Sequence, residues 1–151
     1  MAVLGNKSKA NLVGVHPDLV KVIEESIKDT PIDFTVFSGV RTDQEQKHLY
    51  SLGRTVVNPD GKTAKKPMGN VVTKADGVKN KSNHQKKADG FGRAVDLYPY
   101  YNGKIQFNDI DSLIKISIHI KAVAKCLGVK ISYGGDWTYE KQGIVDKPHF
   151  Q

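Results

Sequence analysis

Only one cysteine, Cys126, stands in the 151 residues, so no internal disulfide can form, which suits a reducing compartment. It lies inside an apolar helical pattern and is expected to be a buried structural thiol. Long apolar runs are also missing: none exceeds a few residues, which excludes a membrane-spanning helix and stable membrane insertion. The opening stretch "MAVLGNKSKANLVGVHPD" lacks the apolar core and small-residue cleavage site of a signal peptide. The expectation is accumulation in the cytoplasm of the cell that makes the protein. Aromatic side chains are absent between Arg54 and Lys87, where the cations concentrate. A single-strand-binding groove interleaves its cations with stacking rings, so nucleic acid is not an expected partner. Internal repeats and a dividing linker are missing too, and the length fits one domain over residues 1–151, expected as a monomer.

What is present is ordinary for a globular chain, with 38% apolar and 26% charged residues. A net charge of +7 favours polyanions, whether nucleic acid, anionic membranes or cell-wall polymers, without choosing among them. "HPDLVKVIEESIKDTP" predicts a first helix, with Pro17 in its first turn and Leu19, Val20, Ile23 and Ile27 at helical spacing. "IDFTVFSGV" predicts a strand running up to Arg41. "TDQEQKHLYSLG" predicts a helix with Thr42 as N-cap, Glu45 as its capping-box partner and Gly53 as terminator. Residues 54–82 read as a long basic loop. "RAVDLYPYYNGKIQF" predicts a strand followed by a tight turn at "NG". "DSLIKISIHIKAVAKCLGV" predicts a helix with a stripe of Leu113, Ile116, Ile120, Val123, Ala124 and Leu127, stopped by Gly128. "VKISYGGDW" alternates Val129, Ile131 and Tyr133 as a half-buried strand does. Helices and strands in this order argue an α+β fold.

The histidines divide by context. His16, at a helix entrance, is expected to cap or meet solvent; His48 to lie at the surface; His119 to be partly buried beside the last helix's stripe. No HExxH motif is present. His84 differs, because it follows the long loop and precedes the strand that carries Asp96. His149 ends "DKPH", three residues after Asp146. Two histidines and one carboxylate make a common catalytic zinc set, with a fourth position left for water. The residues alone leave other readings open: Asp146 as a turn residue, Arg41 as a strand-end ion-pair partner, and Trp137 as cleft wall or core anchor.

"SNH", "GRAVD" and "DKPH", in this order, resemble the zinc peptidases of bacterial cell-wall metabolism. That group includes D-Ala-D-Ala carboxypeptidases, dipeptidases, and the L-alanyl-D-glutamate endopeptidases used as phage endolysins. "SGVRT" with the glutamine-bearing "DQEQKHLYSLGRT", "VVTKADG" and "GGDW" extend the match from about Val36 to the end of the chain. The resemblance implies a Hedgehog/D,D-peptidase-like domain, a small antiparallel sheet flanked by helices. It implies that His84, Asp96 and His149 bind Zn2+, that Asp146 is the catalytic acid and base, and that Arg41 faces the substrate carbonyl. Ser82 would give a supporting contact and Trp137 would touch substrate. The spacer after His84 carries an extra "KKADGF"-like piece, which makes Asp89 a rival to Asp96 as carboxylate ligand; the strand position favours Asp96.

The implied activity is hydrolysis of the peptidoglycan stem peptide, at the bond between L-alanine and D-glutamate. The implied partner is a holin-type protein that releases the enzyme to the wall. Two alternatives stand beside it. One is a D,D-carboxypeptidase or dipeptidase of wall turnover, whose exported forms carry a signal or anchor. The other is a non-catalytic basic module for polyanions, whose structural zinc would require a fourth Cys or His that is not evident.

Overall fold

Side chains of one strand alternate between two faces of a sheet, and that alternation organises this molecule. The computed structural model describes residues 2–52, 56–57, 64–65, 73–137 and 146–151. In chain order the helices are α1 (Asn6–Asn11), α2 (Pro17–Ser26), α3 (Asp43–Ser51) and α4 (Ile110–Cys126). The strands are β1 (Phe34–Ser38), β2 (Val56–Val57), β3 (Ala64–Lys65), β4 (Val95–Tyr101), β5 (Lys104–Ile105) and β6 (His149–Phe150). β4 is the hub of the main sheet: β1, β5 and β6 all pair with it, each antiparallel. The fold is a small antiparallel sheet with helices packed against it, as expected.

The inner face of the sheet presents Phe34, Val36, Val95 and Leu97. Against it pack Leu19, Val22 and Ile23 of α2, and Ile116, Ile120 and Ala124 of α4, all in one buried cluster. Burying each of these valine, leucine and isoleucine side chains stabilises the fold by roughly 1.5–3 kcal/mol. The outer face carries Asp96 and Tyr98 of β4 and Phe37 of β1, and this is the face on which the site is built.

Element ends follow the local chemistry of the chain. Thr42 caps α3 through a complete capping box with Glu45. Asp109 caps α4, accepting from the Ser112 amide at 3.0 Å. α4 stops in a Schellman motif: Gly128, at φ +71°, donates its N–H to Lys125 O, and Val129 donates to Ala124 O. Asn102 and Gly103, both at positive φ, make the two-residue turn from β4 to β5 that "NG" predicts.

Four expectations change. Cys126 is exposed, because it lies about 200° around α4 from the inward-facing Ala124. Residues 129–133 form no strand: the Val129 N–H closes the end of α4, Ser132 exchanges two hydrogen bonds with Gln151, and Tyr133 makes a lone bridge to Phe150. The partner β6 is two residues long, too short for a ladder. Within the basic stretch, Val56–Val57 pair with Ala64–Lys65 in a small antiparallel ribbon. The helix expected to come first is α2, which ends at Ser26 with Ile27 as its C-cap, and the short α1, for which no helix was predicted, precedes it. Gly53, expected to terminate α3, lies outside the described residues.

Candidate metal centre and cleft

Antiparallel register places directly opposed side chains on the same face. Asp96 is opposed by His149 of β6 on one edge and by Ser38 of β1 on the other. The Asp96 carboxylate and the His149 ring therefore emerge together. His84 arrives from a different segment, docked beside the residues that follow β1. Arg41 N–H donates to His84 O at 2.8 Å, and the His84 ring meets Gly39 O, also at 2.8 Å.

The three groups converge. His84 Nε2 and His149 Nδ1 are 3.2 Å apart, and each lies 3.4 Å from Asp96 Oδ1. Among the described residues these are the three that could share a metal ion. Tautomers sharpen the point. Gly39 O can only accept, so His84 carries its proton on Nδ1 and turns the Nε2 lone pair inward. Gln151 Oε1 faces His149 Nε2 at 2.7 Å and also accepts from Asn83 Nδ2 at 2.6 Å, so His149 turns its Nδ1 lone pair inward. Two lone pairs and a carboxylate oxygen pointing at one spot repel one another unless a cation lies between them.

The donor set fits a metal. Tetrahedral bonds of about 2.0–2.1 Å span donor–donor edges of about 3.3–3.4 Å, close to the observed triangle. Asp96 Oδ1 is buried and makes no hydrogen bond among the described residues, the state of a ligand atom reserved for an ion. Burial pushes the Asp96 carboxyl up, but positive charge at this position, carried by His149 and His84 when protonated and by a cation when one is bound, outweighs that and holds the group well below the usual carboxylate range. Burial pulls the His149 imidazole down, and Asp96 and Gln151 more than reverse that.

Asp146 stands beside the triangle without joining it. Its Oδ2 is 3.6 Å from His149 Nδ1. The intervening Lys147 and Pro148 form a turn, closed by the His149 N–H donating to Asp146 O at 3.1 Å. Gly134 buttresses it: its carbonyl accepts from the Asp146 N–H at 2.9 Å, and a Cβ there would overlap the Asp146 carbonyl oxygen. Burial and the neighbouring Asp96 charge raise the Asp146 carboxyl above its ordinary value, against His149, His84 and Arg41. A carboxylate of raised basicity close to a metal position is suited to moving protons.

Arg41 lines the same cleft, whose volume is about 400 Å³. Burial lowers its guanidinium from the ordinary range, Asp96, Glu45 and Asp146 oppose this, and arginine stays charged. Its Nη1 donates to Gln46 Oε1 at 2.7 Å. Gln46 is fully buried, and its Nε2 donates to Ala75 O and Thr73 Oγ1, so the amide is satisfied at every position used. Gln85, equally buried, donates to Asp43 and Gly77 O and accepts from the Ser82 N–H. These two glutamines tie the cleft-lining segment after residue 72 to α3. The sequence marked the glutamine-bearing segment but assigned it no role; a polar residue turned inward on an amphipathic helix was the available signal.

Ser82 Oγ accepts from the His84 N–H at 3.2 Å. Trp137 forms a wall of the cleft, its ring 5.0 Å from that of His149 and its Nε1 donating to Ser132 Oγ. Asp89 is elsewhere: it holds Arg93 in an ion pair and caps the turn at Phe91. The inserted loop 86–91 closes on itself, with Lys87 N–H donating to Phe91 O and Gly90 N–H to Lys87 O. His16 caps α2 by accepting from Asp18 N–H, His48 is exposed, and the partly buried His119 donates to Ser26 O, each as expected.

Comparison with known proteins gives the family and the fold. The family described as phage L-alanyl-D-glutamate peptidase matches residues 1–151. The L-alanyl-D-glutamate peptidase of Escherichia phage T5 is 28% identical over 154 residues, covering 97% of this chain and 95% of the phage protein. Among solved structures, the Serratia marcescens L-Ala D-Glu endopeptidase ChiX superposes with a TM-score of 0.66 at 25% identity, covering 97% of this chain and 86% of ChiX.

Proposed function

The chain belongs to the phage L-alanyl-D-glutamate peptidase family, and from that premise we propose that it hydrolyses the L-Ala-D-Glu bond of the peptidoglycan stem at a zinc site. The observation that carries this is the triangle of inward-facing donors on His84, Asp96 and His149, with edges of 3.2–3.4 Å. Two imidazoles and one carboxylate suit zinc among the divalent ions and leave one coordination position open. When bound, the ion supplies Lewis acidity and a water that ionises near neutral pH. Asp146, 3.6 Å from His149, takes the proton of the attacking water and returns it to the departing D-glutamate nitrogen. Arg41, held by Gln46, offers a fixed guanidinium to the carbonyl oxygen as negative charge develops there. Ser82 steadies the His84 backbone, and Trp137 walls the cleft against substrate.

The setting of a phage lytic enzyme adds a holin-type partner that admits it to the wall. The test is digestion of purified murein, with mass spectrometry of the fragments. New L-alanine carboxyl ends and D-glutamate amino ends, lost on chelation and restored by zinc, are the expected result. Fragments ending at D-alanine would instead favour the D,D-carboxypeptidase chemistry.

A further inference from the structure

Three aromatic rings stand on the outer face of the sheet, outside the catalytic set. Phe37 is 45% exposed and Phe107 50% exposed, and Tyr98 is half-buried between them. Their centroids are 5.5, 5.4 and 4.9 Å apart, with interplanar angles of 84°, 85° and 69°. Each ring is braced edge-to-face by the other two, so the ledge is rigid without being covered. Clustered exposed aromatics of this kind mark a contact surface.

The ledge continues the cleft. Tyr98 lines the cleft and follows Asp96 by two residues on the same face of β4. Phe37 owes its place to a β-bulge: Val36 pairs with Leu97 and Ser38 with Asp96, so Phe37 is the extra residue. Asn11 Nδ2 donates to Val36 O and Phe37 O and secures the bulge. Bulges beside active sites re-aim side chains, and this one supplies a ring against Tyr98, two residues along β4 from Asp96.

The chemistry of the two ends of the substrate differs. The amino side of L-alanine is joined as an amide to the lactyl group of a glycan sugar, so that side is uncharged and presents a pyranose ring. The D-glutamate side carries carboxylate. The cleft's lysines, Lys74 and Lys81, come from the segment after residue 72, whereas the ledge has no charge. Pyranose C–H groups, slightly positive, suit the negative faces of aromatic rings. Reach agrees as well. One alanine plus the lactyl link spans about 7 Å, and two residues of strand separate Asp96 from Tyr98 by about 7 Å.

We propose that Phe37, Tyr98 and Phe107 form a subsite for the glycan sugar on the amino side of the scissile bond. The proposal rests on the L-Ala-D-Glu reading and extends it to substrate selection. It requires the enzyme to prefer stem peptide still attached to glycan.

The test compares kcat/KM on two substrates: a stem peptide carrying its disaccharide, and the same peptide with N-acetyl-L-alanine in place of the sugar. The wild-type protein is expected to favour the first by about tenfold, and Phe37→Ala or Phe107→Ala to cut that ratio about three- to tenfold. Phe107→Trp should keep the preference. Phe107→Leu, which retains apolar volume without a ring, should lose it and serves if an alanine variant does not fold. Equal wild-type rates on both substrates, or a ratio unmoved by every substitution, overturns the sugar subsite while leaving the peptidase intact. A ledge that instead pairs two copies of the chain would show as dimers with an unmoved ratio, which overturns the subsite in the same way. Cleavage of neither substrate by the zinc-loaded wild type overturns the peptidase reading and the subsite with it.

Discussion

Asp96 and Asp146 are both carboxylates at the proposed metal position, and their surroundings separate the roles proposed for them. Asp96 faces two imidazoles and is held ionised by positive charge at that position; Asp146, 3.6 Å from His149, is pushed toward its protonated form by burial and by Asp96. Asp146→Ala is therefore expected to retain zinc by elemental analysis and to lose about 10²–10⁴ in kcat. His84→Ala is expected to lose the metal and the activity together. Near-normal turnover in Asp146→Ala removes it from proton transfer. Gly134→Ala reaches the same carboxylate indirectly, since the added carbon must displace the Asp146 backbone. It is expected to depress kcat on the murein substrate and, because the added carbon also stands 3.0 Å from the His149 Cβ, to weaken zinc binding. At this scale the sequence was legible where chemistry needs a particular side chain: His84, Asp96, Asp146 and His149 all meet at one place. Gly39 and Gln151 were not, because carbonyl and amide acceptance leave no residue-type signature, and Gln46 left only the hint of a polar residue on the inward side of α3.

Helices were more readable than strands. α3 and α4 carry their caps and stops in the sequence: Thr42 with Glu45, Asp109 with Ser112, and Gly128. The bulge at Phe37 and the missing strand at 129–133 were not readable, because both depend on which partner lies alongside. Asp109 yields a pH test. Hydrogen bonds from Ser112 and Tyr101 hold its carboxyl below the ordinary value of 3.8 in the folded protein. Its contribution is thus complete above the unfolded value and is lost as pH falls through the lower folded one. The Tm difference between wild type and Asp109→Ala is expected to be constant from neutrality to about pH 4 and to shrink below it. A gap that persists at pH 2 assigns the stabilisation to something other than the ionised cap.

For the molecule as a whole, the metal set joins residues 65 positions apart, His84 and His149, to the sheet strand that carries Asp96. A cation bound only by the folded chain raises stability by about 2.7 kcal/mol at a hundred times its Kd. Chelation should lower Tm by several degrees in wild type and by much less in His84→Ala, measured by thermal unfolding in both. Order along the chain made the α+β class legible, but how these distant segments close around the site was visible only in three dimensions.

The loop 86–91 begins two residues after one ligand and ends five before another, yet its ends are tied by Lys87 and Phe91 and its tip, Ala88 to Gly90, faces solvent. Material spliced into that tip would hang from a closed neck. A targeting peptide for a chosen bacterial surface grafted there would travel with the catalyst while leaving its working parts in register.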